Sequence, residues 1–302
     1  VVAAVWTVPA LTEAIARTEL GGVRDDSRAI EPDDVFVAVR GRRSDGHAFI
    51  GTALERGAAA VVVEEEQPGL AVPQIVVASG ARAFAILTGA ATGHPARRLT
   101  LVGITGTNGK TTTTYLIESI LRAAGEATRP GVIGTVDYRW HGRAGLVQED
   151  APYTTPTAPI LHATFARMAD DGVSHAVMEV SSAALEMDRL GGLGFAVGAF
   201  SNLTQDHLDV HGTMAAYQAA KRLLFAHHLA EGGVAVVNVD DVAGEDMAAA
   251  AAAHGRRVLR VSSDPEPTRP AQQGAEIRVT WCESTVRGIR ARVRTPRGEL
   301  EA

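Results

Sequence analysis

A single cysteine, Cys282, stands in the 302 residues. That excludes an internal disulfide framework and any paired-cysteine metal knuckle, and it fits a reducing cytoplasm. Long apolar runs are missing as well. Nothing approaches the roughly 20 residues needed to span a bilayer, so no membrane partner is expected. The opening Val1-Val2-Ala3-Ala4-Val5-Trp6 lacks the basic segment of a secretory signal and an initiator methionine. Basic charge is in deficit: Lys+Arg 29 against Asp+Glu 35 gives a formal net charge of -6. A phosphate-backbone binder leans the other way, so no nucleic-acid partner is expected. Core material is plentiful, with 46% hydrophobic and 21% charged residues, which excludes disorder as the main state. At roughly 150 residues per domain the length suggests two domains. The final Pro296-Arg297-Gly298-Glu299-Leu300-Glu301-Ala302 brings no closing element, and both ends are expected to be cuts within a longer chain.

Up to about residue 94, short β-rich runs at 34–39, 60–64 and 74–77 alternate with helix-like stretches at 49–57 and 81–91. A polar, proline-punctuated stretch at 95–98 predicts a boundary, with one domain over 1–96 and a second over 97–302. The second opens with Leu101-Val102-Gly103-Ile104, an apolar run without polar alternation, as in a strand buried on both faces of a parallel sheet. Helical stretches at 110–124, 160–171, 214–228 and 242–253 then alternate with strand-like ones at 175–180, 196–200 and 233–238. This repetition predicts an α/β fold with a mostly parallel, doubly wound sheet. Beyond Arg256, short runs at 258–261, 275–281 and 285–293 predict a small antiparallel extension.

The strongest chemical signal is Gly103-Ile104-Thr105-Gly106-Thr107-Asn108-Gly109-Lys110-Thr111-Thr112, lying between a buried strand and a long helix. Glycines let backbone N–H groups turn inward around phosphate oxygens, and the helix N-terminus adds a favourable dipole. Lys110 would neutralise the β- and γ-phosphates and the Thr111 hydroxyl would ligate Mg²⁺. Ile104 stands where the strict phosphate-loop pattern has its first glycine, and the bland alternative is a glycine-rich turn with an exposed lysine. Metal-compatible groups close two later strands: Glu179 in Met178-Glu179-Val180-Ser181-Ser182, and Asp206 with His207 in the stretch that runs from Asn202 to Asp209. Open α/β sheets bind ligands at that edge. Mg²⁺ takes one or two carboxylates plus substrate phosphates, which makes Glu179 with Thr111 a sensible pair. Asp206 could equally cap a short helix.

These motifs together, with Tyr217-Gln218-Ala219-Ala220-Lys221 and an early Asp26-Ser27-Arg28 followed by Asp45-Gly46-His47-Ala48-Phe49-Ile50, resemble the Mur ligases. Within that family the pairs Thr154-Thr155 and Ser181-Ser182, with Leu185 and Arg189, resemble the tripeptide synthetases, the MurE type. The resemblance runs over essentially the whole chain, with the motifs in one order. It implies a UDP-sugar-binding first domain, a central ATP-binding domain, and a third, amino-acid-selecting domain to which nothing here corresponds. It implies nucleotide contacts at Gly106, Thr107, Asn108, Gly109, Lys110, Thr111 and Thr112. Substrate contacts are implied at Ser27, Arg42, Arg43 and Ser44 for the UDP part, and at Thr154, Thr155, Ser181 and Arg189 for the muramoyl-peptide part. A guanidinium fork at Arg189 suits carboxylates or a diphosphate. The resemblance makes Lys221 a carbamylated lysine that, with His207, holds a second Mg²⁺ beside the first at Thr111 and Glu179. From the residues alone Lys221 reads as a solvated helix lysine.

The activity implied is an ATP-dependent amide ligation in a cytoplasmic monomer, adding a diamino acid to UDP-MurNAc-L-Ala-D-Glu through an acyl phosphate, with Lys110, His207 and Lys221 as catalytic residues. Three positions depart from the resemblance: Ala183 where many relatives carry histidine, Met187 where some carry glutamine, and Asp25 in place of an apolar residue near the uridine. They leave open a non-catalytic, nucleotide- or UDP-sugar-binding relative. Another phosphate-loop phosphotransferase would leave Asp26-Ser27-Arg28 and Lys221 unexplained.

Overall fold

The computed structural model describes residues 21–41, 44–125, 127–286 and 288–301. By Cα proximity the described residues form two compact units that are not contiguous blocks: the first takes those through Leu99 together with Pro156–Asp171 and Met187–Leu193, and the second takes the other described residues.

In the first unit, strands β1 (Val23–Arg24), β2 (Val35–Val37), β3 (Ala60–Val63) and β4 (Gln74–Val76) pair in parallel in that order. Their side chains alternate between two apolar clusters. Val35, Val37 and Val62 face Phe84, Ala85 and Leu87 of helix Gly80–Ala91. Phe36, Val61 and Val63 face Ile50 and Ala53 of helix Ile50–Glu55. Both faces of the strands are therefore covered, which is why they read as unbroken apolar runs. The helix Ala158–Asp170 adds Ala158 to the first cluster. Strand β1 went unread in the sequence, because two residues carry no periodicity.

In the second unit, β5 (Thr100–Thr105), β6 (Pro130–Ile133), β7 (Asp137–Gly142), β8 (Gly145–Asp150), β9 (His175–Glu179), β10 (Phe195–Phe200), β11 (Leu229–Asn238), β12 (Arg257–Ser262), β13 (Ile277–Thr285), β14 (Gly288–Thr295) and β15 (Gly298–Glu301) make one sheet among the described residues. Their order is β15-β14-β13-β12-β11-β10-β5-β9-β6-β7-β8. The centre is parallel and antiparallel strands flank it on both sides, which bears out the fold class expected from sequence. The extension begins later than expected. Residues 258–261 lie in β12, which pairs in parallel with β11, and β13 is parallel to β12, so at this end of the sheet the antiparallel pairs are β13–β14 and β14–β15. A second antiparallel stretch, β6-β7-β8, was not anticipated.

Strand β5 neighbours β9 on one side and β10 on the other, so the chain reverses its direction of travel across the sheet at β5. Register then decides what meets at the strand ends. Ile104 pairs with both Glu179 and Ala199, and Thr105 pairs with Phe200. Ile104, Val102 and Val177 pack against Ile117 and Leu121 of helix Lys110–Ala123. Ile104 is 1% exposed, and truncating it to alanine should cost about 2–5 kcal/mol.

Candidate active site

The loop between β5 and helix Lys110–Ala123 is shaped by its glycines. Gly106 (φ 152°) and Gly109 (φ 83°) occupy backbone conformations that side chains disfavour. A Cβ on Gly106 would also fall 1.9 Å from Ser201 Oγ. The loop is stapled to the segment leaving β10. The Asn108 N–H donates to Asn202 Oδ1 (2.9 Å), Asn202 Nδ2 and Ser201 Oγ donate to the Asn108 carbonyl (3.1 and 2.7 Å), and the Thr107 N–H donates to the Asn202 carbonyl (2.9 Å). Lys110 Nζ folds back to donate to the carbonyls of Gly106 and Thr107, both at 2.9 Å. Burial pushes its pKa down, opposed by the charges of Glu179 and Asp206. A half-buried cation held at a helix N-terminus by loop carbonyls, with Asn108 and Gly109 exposed beside it, is chemically suited to phosphate oxygens.

Glu179, the last residue of β9, is 1% exposed. It accepts from Thr111 Oγ1 (2.9 Å), the Thr135 N–H (2.9 Å) and Thr135 Oγ1 (3.1 Å). Three donors and no side-chain cation within ion-pair distance among the described residues leave a carboxylate with its charge uncompensated at close range. Gly134 leaves room for it, since a Cβ there would lie 2.5 Å from Glu179 Oε1. Thr111 Oγ1, Thr135 Oγ1 and the carboxylate form the hard-oxygen set that Mg²⁺ prefers, and the residues fit that ion. Among the described residues no group of three His, Cys, Asp or Glu side chains is placed to hold a metal by itself.

Tyr217, fully buried, organises the other half of the site. Its hydroxyl lies 3.2 Å from Thr107 Oγ1 and its ring stacks on His211 at 5.1 Å. His207 meets the same ring edge-on at 6.0 Å, and Lys221 Nζ lies 4.3 Å from its centroid. Lys221 is 1% exposed, so its reading as a solvated lysine fails. Burial, with Lys110 adding repulsion, lowers its pKa to about 7. His207 is exposed, with its Nε2 3.6 Å from Asp206 Oδ2. Asp206 is not a helix cap. His207 holds that position with a left-handed backbone, and Asp206 Oδ1 accepts the His207 N–H.

With this geometry in place, residues 104–296 match the Mur ligase middle domain. The chain belongs to the Mur ligase family. Residues 19–92 match a second family segment, described as Mur ligase family, catalytic domain. This Mur ligase chain is 40% identical over 299 residues to UDP-N-acetylmuramyl-tripeptide synthetase of Roseiflexus sp. (strain RS-1), covering 94% of this chain and 56% of that protein. It is 48% identical over 238 residues to the UDP-N-acetylmuramoyl-L-alanyl-D-glutamate--2,6-diaminopimelate ligase of Chlorobaculum tepidum, covering 78% of this chain and 45% of that one. A solved structure of a UDP-N-acetylmuramoyl-L-alanyl-D-glutamate--2,6-diaminopimelate ligase superposes with TM-score 0.75 at 28% identity, over 95% of this chain and 56% of that one. MurF from Acinetobacter baumannii shares the fold at 21% identity and TM-score 0.53, over 98% of this chain and 60% of that one. The chain spans about half the length of the curated relatives it matches.

The remaining expected residues of this Mur ligase divide between the units. In the first, Ser27 and Ser44 line a cavity of about 770 Å³ with Asp26, Arg28 and Phe49. Arg42 and Arg43 lie outside the described residues. Arg189 lines a smaller cavity of about 130 Å³ with Asp25, Phe84 and Met187, and its Nη2 lies 3.6 Å from Met187 Sδ. In the second, Thr155 Oγ1 donates to the Glu179 carbonyl (2.8 Å) and accepts the Ser181 N–H (2.9 Å). Thr154 Oγ1 is 3.1 Å from Thr135 Oγ1. Thr112 is exposed on the first turn of its helix. Thr135, Gly134, Ser201 and Tyr217 were not singled out from the sequence. Of these only Tyr217 fell inside a quoted motif, and nothing local marked the others.

Proposed function

We propose that this chain forms the acceptor- and nucleotide-binding parts of an ATP-dependent ligase of the MurE type, which joins a diamino acid to UDP-MurNAc-L-Ala-D-Glu. The reading rests on one observation: Lys110, Thr111 and Glu179 converge at the ends of β5 and β9 in a chain of this family. In it, residues 1–96 serve the UDP-sugar and residues 97–302 the ATP. Ser27, Ser44 and the adjoining Arg42 and Arg43 receive the uridine diphosphate, and Thr154, Thr155, Ser181 and Arg189 receive the muramoyl peptide.

The exposed Gly109 turn at the helix N-terminus and the Lys110 ammonium hold the β- and γ-phosphates against the loop. That offsets the repulsion between a carboxylate nucleophile and a polyanion, and holding the two in line converts an encounter into a positioned step. The substrate carboxylate bonds to the γ-phosphorus as the bridging oxygen leaves with ADP. The amine of the diamino acid then bonds to the acyl carbon, phosphate departs with the C–O electron pair, and the amine loses its proton. No protein base is needed for the first step, because the nucleophile is already ionised. Thr111, Glu179 and Thr135 would hold one Mg²⁺, and His207 with a carbamylated Lys221 a second. The ions supply charge neutralisation at the transferred phosphoryl group. Burial and the Lys110 charge, outweighing the charge of Asp206, favour a neutral Lys221 amine, the form that combines with CO₂.

Phosphate release from ATP tests the reading in the intact protein. Release should require both UDP-MurNAc-L-Ala-D-Glu and a diamino acid. Lys221→Ala should abolish it, and bicarbonate should not restore it. Release that ignores the muramoyl peptide would overturn the assignment. A protein that binds both nucleotides without any release would be the non-catalytic relative.

A further inference from the structure

A buried ion cluster that the mechanism above does not use lies two helical turns from Thr111. Arg139 on β7 is 5% exposed, and so is Asp137, while Glu118 on helix Lys110–Ala123 is 7% exposed. The Arg139 guanidinium donates to both Glu118 oxygens, from Nε at 3.1 Å and Nη2 at 2.6 Å for the closer one, and through Nη1 to Asp137. His141 Nε2 lies 3.0 Å from Glu118 Oε1, and the Tyr115 ring centroid is 3.7 Å from the guanidinium carbon. Gln148 of β8 completes the shell of Asp137.

Spacing shows what this cluster is aligned with. Residues 111, 114 and 118 fall on one face of a 3.6-residue helix, and 137, 139 and 141 share the alternate positions of strand β7, just after the turn that carries Thr135. The helix and the hairpin are thus bridged twice along matching faces. At one end the bridge is Thr111–Glu179–Thr135, and at the other it is Glu118–Arg139 with His141. Thr135 is two residues before the start of β7, and the Gly134 N–H donates to the Asp137 carbonyl at 3.3 Å, so the turn carrying Thr135 is continuous with the clamped strand. We infer that Arg139 and Glu118 are positioning residues that fix the spacing between the phosphate-loop helix and the β6–β7 turn, and so set how strongly Glu179 and Thr111 hold a divalent cation. The inference rests on the reading of Glu179 and Thr111 as the cation's ligands.

A buried ion pair is a costly way to join two elements, and well-packed apolar residues often serve stability as well or better. A bidentate guanidinium, however, constrains distance and angle together. Stability and positioning can therefore be separated by variants. Titrations of Mg²⁺ against ADP binding, read by calorimetry with the 302-residue chain, should be compared with ADP binding in EDTA. In Arg139→Met with Glu118→Leu, which replaces the pair by apolar groups, apparent Mg²⁺ affinity should fall about 10- to 100-fold, as for groups that orient metal ligands. ADP affinity in EDTA should hold, while the melting temperature should fall, because Asp137 stays buried without its guanidinium. Glu118→Gln, which keeps the shape and a hydrogen bond, should show a smaller loss in the same direction. A folded double variant with wild-type Mg²⁺ dependence would overturn the inference, as would an equal loss of ADP affinity with and without metal. Glu179→Gln is the control for the underlying reading. If it leaves the Mg²⁺ dependence intact, the ligand assignment itself fails; if it removes that dependence while the double variant does not, only the positioning role fails.

Discussion

The burial of Lys221 makes a prediction that can be read without substrates. Its pKa lies at about 7 against 10.5 for a free lysine, with desolvation the largest cause and Lys110 the next. The amine is 1% exposed, so the displacement converts to stability with little screening, at roughly 5 kcal/mol for about 1.4 kcal/mol per pH unit. The sign follows from proton binding. Between about pH 7 and 10.5 the unfolded chain holds the lysine proton and the folded chain does not, so stability rises with pH across that window. Below about pH 7 the folded protein carries the full cost of a buried ammonium, eased by the Tyr217 ring face. Lys221→Met keeps the volume and removes the charge. In bicarbonate-free buffer the variant should be more stable than wild type at pH 7 by several kcal/mol, on the order of the figure above, and the gap should close toward pH 10.5. Urea unfolding at a series of pH values measures both slopes. Parallel curves for wild type and variant would show that Lys221 enters the folded state as an ordinary ammonium, and the argument for a neutral, CO₂-reactive amine would be lost.

Other positions make independent predictions. Gly134→Ala puts a methyl group 2.5 Å from Glu179 Oε1; the displaced carboxylate should lower Mg²⁺-dependent ADP affinity about tenfold, on the scale of disturbed metal-ligand orientation, as a calorimetric titration would show. Gly106→Ala meets Ser201 Oγ at 1.9 Å and a φ of 152°; it should weaken nucleotide binding in EDTA as well as in Mg²⁺, separating the loop from the metal ligands in the same assay. His162, 4% exposed, has its pKa lowered by burial to about 4. The unfolded chain takes this proton below about pH 6.5 and the folded chain only near pH 4, so roughly 3 kcal/mol of stability should be lost over that range and restored in slope by His162→Gln. A denaturation series from pH 7 to 4 that shows no difference in slope between the two proteins would refute it.

How much of the site could be read in advance depended on the distance in sequence between its parts. The phosphate loop and its helix are local: a buried strand, glycines, then Lys110 and Thr111, and the structure places them as the spacing predicts. The rim position of Glu179 was legible too, because a strand end is visible in the pattern of apolar residues. Thr135 was not. It lies in a turn before β7, and β7 (Asp137–Gly142) reads as a polar segment because Asp137 and Arg139 are there as charges. They are buried because Glu118, 21 residues before Arg139 in the chain, meets the guanidinium, which in turn meets Asp137. Periodicity treats charge as a sign of solvent, and a paired charge inside a sheet defeats that rule. Lys221 failed for the same reason in reverse: one lysine on an Ala-rich helix looks solvated, and only its 1% exposure, under the Tyr217 ring, shows that it is not.

The residue pattern by itself determined the alternation of strands and helices, the parallel core, and the presence of a phosphate-type loop, because each rests on neighbours within one or two elements. Tertiary structure alone decided which strand ends meet. The reversal at β5 sets β9 and β10 on either side of it and brings Glu179 to Thr111 and Asn202 to Asn108, while tertiary packing leaves Lys221 buried. Strand order is a property of pairings between segments tens of residues apart, and no local propensity encodes it.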